Sequence, residues 1–190
     1  MHNLADILGR LQHALPHVKK WMDALHAEHS HECIRASSLG FPRLASYFPR
    51  TLLDNAFAVP SDIMPFPPVR EYGLPEFEAM ANMPMKGITF GNMYFVRPTQ
   101  SIEELHFHEL IHVIQWSKLG IEHFLLTYAL GIVQFDYEQS PLEAIAYELQ
   151  ARFHQATELP NVVEYVERHA VENRDAAEAV FMQQGIEFGS

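Results

Sequence analysis

Cysteine is nearly absent from this chain of 190 residues, where Cys33 stands alone. No internal disulfide can form, so the fold must hold without cross-links, which suits a reducing compartment and makes the cytoplasm the expected location. Basic residues are also scarce: 13 Lys and Arg face 24 Asp and Glu, for a formal charge of -11. That sign is wrong for neutralising phosphates, and no cluster of Lys or Arg interrupts it. Neither nucleic acid nor an anionic membrane is an expected partner. Long apolar runs are missing too. The longest, Phe124 to Val133, covers about half of the roughly 20 residues that span a bilayer, and reads as a buried helix. The first residues, Met-His-Asn-Leu-Ala-Asp, lack the basic start and unbroken apolar stretch of a signal peptide, so Sec export is not expected.

What the chain does have is 48% hydrophobic residues with only 19% charged, a composition that folds. One domain over 1–190 with its own core is expected. Four stretches divide it: a helical part over 1–40, a proline-rich irregular part over 41–85, a metal-site core over 86–156 and a last helix within 157–190. In the first, Leu4, Leu8, Leu11, Leu15, Val18, Met22 and Leu25 recur at steps of four and three, a helical stripe expected to dock on the protein's own core. Pro16 interrupts it and predicts a kink, or two short helices meeting near Leu15. Eight of the twelve prolines lie between Pro42 and Pro84. That part, with its Pro65-Phe-Pro-Pro68 run, is expected to be an ordered surface loop with short helices over Arg50 to Ala58 and after Pro75.

Two β-rich stretches in Ile88-Thr-Phe-Gly-Asn-Met-Tyr-Phe-Val96 flank Gly91-Asn92, predicting a hairpin whose two-residue turn is of the II′ class. From Ser101 the pattern turns helical. Ser101 with Glu104 predicts a capping box, and Lys118 with Gly120 predicts the other end, giving a helix from about Ile102 to Leu119. Its middle is apolar on nearly every side, so it should cross the core. Further helices are expected at about Glu122 to Val133, Leu142 to Ala156 and Val162 to Met182. The fold class is therefore α+β and helix-dominated, with a small sheet packed on the Ile102 to Leu119 helix.

Inside that buried helix stands His108-Glu109-Leu110-Ile111-His112. Histidines four apart project from one helical face and can share a metal ion at about 2.0 to 2.1 Å from each nitrogen. Glu109 lies beside that face, placed to take a proton from a metal-activated water without being a ligand. As plain core residues, these three polar groups would be costly to bury without partners. Two histidines leave the site incomplete, and the position six beyond His112 is Lys118. A further carboxylate is needed, and the helix after Ser140-Pro141 offers Glu143 and Glu148. Both flank its apolar stripe at similar angles, so the helical wheel does not choose between them. Glu143 also stands three residues after Ser140, where it could serve only as a cap.

His108-Glu-x-x-His112 followed by Glu143-x-x-Ala146 resembles the gluzincin branch of zinc metallopeptidases. The order of the Ile88 to Phe95 hairpin, His-Glu-Leu-Ile-His-Val-Ile-Gln115 and Pro-Leu-Glu-Ala-Ile-Ala-Tyr147 is similar to a bacterial zincin-like family of uncharacterised function, often found beside contractile injection systems. The likeness covers about residues 86 to 152. It implies zinc on His108, His112 and Glu143, Glu109 as general base, and a hairpin edge at the cleft where an extended peptide could pair. The implied activity is hydrolysis of a peptide or protein amide bond; the alternative is a zincin-fold binding or structural module that keeps the metal with little catalysis.

Four residues, Tyr94, His123, Tyr137 and Tyr147, are candidates for stabilising a transition state. His26, His29 and His31 with Glu28, Glu32 and Cys33 match no established ligand spacing and are expected to be a solvated helix end. Glu28-x-x-His31 and Glu109-x-x-His112 also fit the ExxH spacing of di-iron bundles, but a hairpin before the motif has no place in such a bundle. His106 precedes the motif by two, faces another side of the helix and is not an expected ligand.

Overall fold

The computed structural model describes residues 3–159 and 161–189. Its first element, α1 (Leu4–His29), is one continuous helix with Pro16 inside it, so of the two outcomes expected near Leu15 the pair of separate short helices does not form. The reason is in the packing. Leu8, Leu11 and Leu15 before the proline and Val18, Met22 and Leu25 after it are all buried on the same body, while Pro16 faces outward. Continuous burial of the stripe outweighs one lost backbone bond on the solvent side.

After the short strand β1 (Ile34–Arg35) and helix α2 (Arg50–Asn55) comes β2 (Phe57–Pro60), where a helix running to Ala58 was expected. β2 is held by a distant partner: it pairs in parallel with β4 (Met93–Val96), Ala58 opposite Tyr94 and Val59 opposite Phe95. A single turn of helix, α3 (Glu78–Ala81), follows Pro75 as expected. The hairpin is present as β3 (Gly87–Phe90) and β4, joined by Gly91-Asn92. Gly91 has φ +67°, while Asn92 is not among the positive-φ residues, which is the II′ pattern. The sheet is mixed, in the order β1-β2-β4-β3, and β3 forms one edge.

Helix dominates the rest. α4 (Glu103–Phe135) is two helical segments meeting at Gly120, whose φ of 74° and ψ of 168° break the helix where the glycine predicted its end. α5 (Pro141–His154) and α6 (Val162–Gln183) complete the chain's helices. The capping box expected at Ser101 and Glu104 is not formed. Ile102 is the N-cap, without a side-chain bond, and the Ser101 hydroxyl instead lies 2.9 Å from His106 Nε2.

Alternation along the strands gives the sheet two buried faces. Ala58, Tyr94 and Val96 pack with Phe107, Leu110, Ile111 and Ile114 of α4, whereas Val59, Phe90, Met93 and Phe95 pack with Val18, Met22 and Leu25 of α1. The sheet thus lies between α1 and the first segment of α4, with α5 and α6 behind that segment. Among the described residues no helix is long and apolar enough to cross a membrane.

Candidate metal centre

His108 and His112 stand one turn apart on α4, with 5% and 6% of their surface exposed. Their Nε2 atoms are 3.1 Å apart. Glu143, in the first turn of α5, reaches across: its Oε2 is 3.5 Å from His108 Nε2 and its Oε1 3.5 Å from His112 Nε2. A tetrahedron with arms of about 2.0–2.1 Å has edges of about 3.3 Å, which these separations bracket. Among the described residues this is the one cluster of three His, Cys, Asp or Glu side chains able to hold a metal ion.

The orientation of each ring is fixed from behind. His108 Nδ1 donates to Gln150 Oε1 at 3.0 Å, and His112 Nδ1 to Gln115 Oε1 at 2.8 Å. The Gln115 amide is itself anchored, because its Nε2 donates to the Leu142 carbonyl at 2.9 Å. With both Nδ1–H groups engaged, the Nε2 lone pairs turn toward one point. Glu143 Oε1 accepts from the Tyr128 hydroxyl at 2.6 Å, while Oε2 is buried without any hydrogen-bond partner. A buried carboxylate oxygen left unpaired beside two convergent imidazoles fits a divalent cation, and the N2O donor set suits zinc.

Electrostatics point the same way. Burial disfavours charge on His112, yet the Glu143 carboxylate overrides it and lifts the imidazole to about 9. Burial would raise the Glu143 carboxyl, but the two histidines outweigh it and hold it well below the usual carboxylate range. Glu109 is different. Only 2% exposed, its carboxyl is pushed up chiefly by burial, against the opposing pull of His108, His112 and the Thr89 hydroxyl.

Two hairpin residues place Glu109. Thr89 Oγ1 donates to Glu109 Oε2 at 2.6 Å, and Gly87 lies flat against the carboxylate, where a Cβ would meet Oε1 and come within 2.9 Å of Cδ. The same residues shape the sheet edge. Arg97 N donates to Lys86 O at 2.9 Å, so by alternation Ile88 and Phe90 bond toward β4 while Gly87 and Thr89 turn their backbone groups to the open edge.

The structure brings His108, His112, Glu109 and Glu143 together and leaves Glu148 out. Glu148 is exposed and pairs with Arg152 at 3.6 Å. Nor does Glu143 cap its helix, for Ser140 makes no side-chain cap bond and the carboxylate is buried. Of the transition-state candidates, Tyr94 is 3.0 Å from His106 Nδ1 and His123 stacks on Phe188, and neither is in the wall of the cavity beside the cluster. Tyr137 lines the cavity beside it, and the Tyr147 ring sits 4.8 Å from that of His108. His26 bonds the Phe90 carbonyl at 2.8 Å and His29 pairs with Glu32 at 3.0 Å.

Gly87, Thr89, Gln115, Tyr128 and Gln150 were not singled out from the sequence. Gln115, one turn beyond His112 on the same face, carries a helical spacing that could have marked it. Tyr128 and Gln150 carry no such signal.

No protein-family model matches the chain, and neither a curated protein nor a solved structure is similar to it. The resemblance to the family beside contractile injection systems gains no support from these comparisons.

Proposed function

We propose that the chain is a zinc-dependent hydrolase of peptide or protein amide bonds, with His108, His112 and Glu143 as ligands and Glu109 as general base. The observation that carries this reading is the buried convergence of those three side chains, with a second buried carboxylate, Glu109, beside them and hydrogen-bonded to Thr89. Structural zinc sites close with four protein ligands, whereas three protein ligands leave a position for water or substrate.

Zinc held there would supply the Lewis acid that acidifies water and polarises a carbonyl. The chain's own groups do the rest. Glu109, steadied by Thr89, takes the proton of the attacking water and returns it to the leaving nitrogen. Burial favours the protonated form of its carboxyl, the form that the transferred proton produces. Outward-facing backbone groups of Gly87 and Thr89 align an extended substrate along the β3 edge. Tyr137, kept protonated by burial and by the charge of Glu143, offers an O–H donor to the developing oxyanion.

The test is a peptide-library digest with zinc-loaded protein purified without a metal-affinity tag, beside Glu109→Gln. Hydrolysis is expected to fall by about a hundredfold or more in the variant while zinc content is kept. A zinc-loaded protein that cleaves nothing in the library would leave a metal-holding binding module as the better reading.

A further inference from the structure

The cluster forms part of the wall of a cavity of about 130 Å³. Its polar lining is gathered around His108, His112, Glu109 and Glu143, and the remaining wall is overwhelmingly apolar. That wall does not come from the metal-site helices alone. Leu11, Ala14 and Leu15 of α1 contribute one side and Phe66 of the proline-rich segment another, with Phe77 and Ala129 nearby in the lining. Both contributing regions lie in 1–85, outside the stretch that carries the chemistry.

We infer that this cavity is the subsite that selects the substrate: it takes one apolar side chain of leucine to phenylalanine size on the residue next to the bond that is cut. The inference rests on the amide-hydrolase reading and names its substrate class. Three observations lead to it. The first is size, since an apolar cavity of about 150 Å³ holds a benzene ring, so about 130 Å³ suits a phenyl or isobutyl group and no second one. The second is chemistry, because the wall away from the cluster is apolar, and a charged arm lodged against it would be buried without a partner. The third is position. The ligand cluster and Glu109 are themselves wall residues, so a group in the cavity must sit within a residue of the carbonyl presented to them. An extended peptide paired with Gly87 and Thr89 sends alternate side chains to opposite sides, one of them toward this wall.

Filling and enlarging the cavity test this. Ala14 is 2% exposed within the lining, so Ala14→Phe fills the space from α1, and Leu11→Ala enlarges it should the filled variant fail to fold. Benzene, added to metal-free protein and followed by thermal shift, should bind saturably to the unmodified chain and not to Ala14→Phe. In the library digest of zinc-loaded protein, Leu, Met and Phe on one side of the cut should be favoured at least about tenfold over Ala, Lys and Asp. Ala14→Phe should lose that preference, and Leu11→Ala should extend it to Trp. Cleavage without apolar preference, or a preference that neither variant changes, would overturn the subsite and leave the hydrolase standing. Absence of benzene binding by folded protein would overturn it as well. Saturable benzene binding with no hydrolysis would instead remove the hydrolase reading, and the substrate assignment with it.

Discussion

Two groups of buried histidine share the first segment of α4 and meet opposite fates. His106 is fully buried, and both of its nitrogens are spoken for: Nδ1 lies 3.0 Å from the Tyr94 hydroxyl and Nε2 2.9 Å from the Ser101 hydroxyl. Burial alone pushes it down to about 4, so it stays neutral. His108 and His112 spend only Nδ1 on neighbours and aim Nε2 at each other and at Glu143. His106 is satisfied by neutral hydroxyls on both sides; His108 and His112 have a neutral partner on one side only, an arrangement suited to a metal ion on the other. Burial does not distinguish the two groups, and what Nε2 meets does: a hydroxyl for His106, a second imidazole and a carboxylate for His108 and His112.

The sharpest way to break that contrast is metal content. Tag-free protein incubated with zinc at neutral pH should hold about one equivalent, and His108→Ala or His112→Ala should hold less than about a tenth. His106→Ala should keep the metal even though it loses stability. Equal zinc in all four proteins would abolish the distinction between the groups.

Next in size is the carboxylate. Replacing Glu143 by glutamine removes the negative oxygen between the imidazoles, and zinc affinity should fall by at least about tenfold, read by competition with a chelator. Glu148→Gln, on the exposed side of α5, should change nothing. The opposite ranking would return the third-ligand role to Glu148.

How far the sequence alone could reach is clear from these same residues. Helical period placed His108 and His112 on one face of a buried helix, with Glu109 beside it, because four residues is a local distance and the helix needs no partner to define it. The choice between Glu143 and Glu148 was beyond it: both flank the stripe of α5, and only the docking of α5 against α4 decides which one turns inward. β2 escaped notice for a related reason. Phe57–Pro60 is a strand because β4, more than thirty residues on, lies beside it. Pro16 left two outcomes open, a kink or two short helices, and the second is absent because the stripe is buried on both sides of the proline. The buried placement of His108, Glu109 and His112 on α4 was legible; the groups around them on the hairpin, on α5 and beyond Gly120 depended on tertiary contacts.

Those surrounding groups supply the third prediction, an effect on turnover without one on metal. Gly87→Ala drives a methyl into the Glu109 carboxylate, which must then swing away from the cluster and from Thr89. Hydrolysis should drop by about tenfold or more at unchanged zinc content, in line with the loss of a positioned base. Full activity in Gly87→Ala would show that the close approach is not what holds Glu109 in place.

The smallest effect at neutral pH belongs to the proton balance of the two groups in metal-free protein, and there they pull in opposite directions. His106 has a folded value of about 4, below the usual 6.5, so below pH 6.5 the unfolded chain takes up a proton that the folded one refuses. Its share of stability is therefore intact above 6.5 and is lost as the pH falls, by about 3 kcal/mol at pH 4. His112, raised to about 9 by Glu143, behaves oppositely. Its contribution is complete below 6.5 and is lost as the pH rises through 9. Urea unfolding of metal-free protein, with His106→Gln and His112→Gln alongside, separates the two, since every other titrating group is common to all three proteins. The stability difference between the unmodified chain and His106→Gln should shrink on going from pH 6.5 to pH 4, and that against His112→Gln should shrink from pH 6.5 to pH 9. A difference that stays level across its window would mean that the histidine concerned is not held in the protonation state its surroundings dictate.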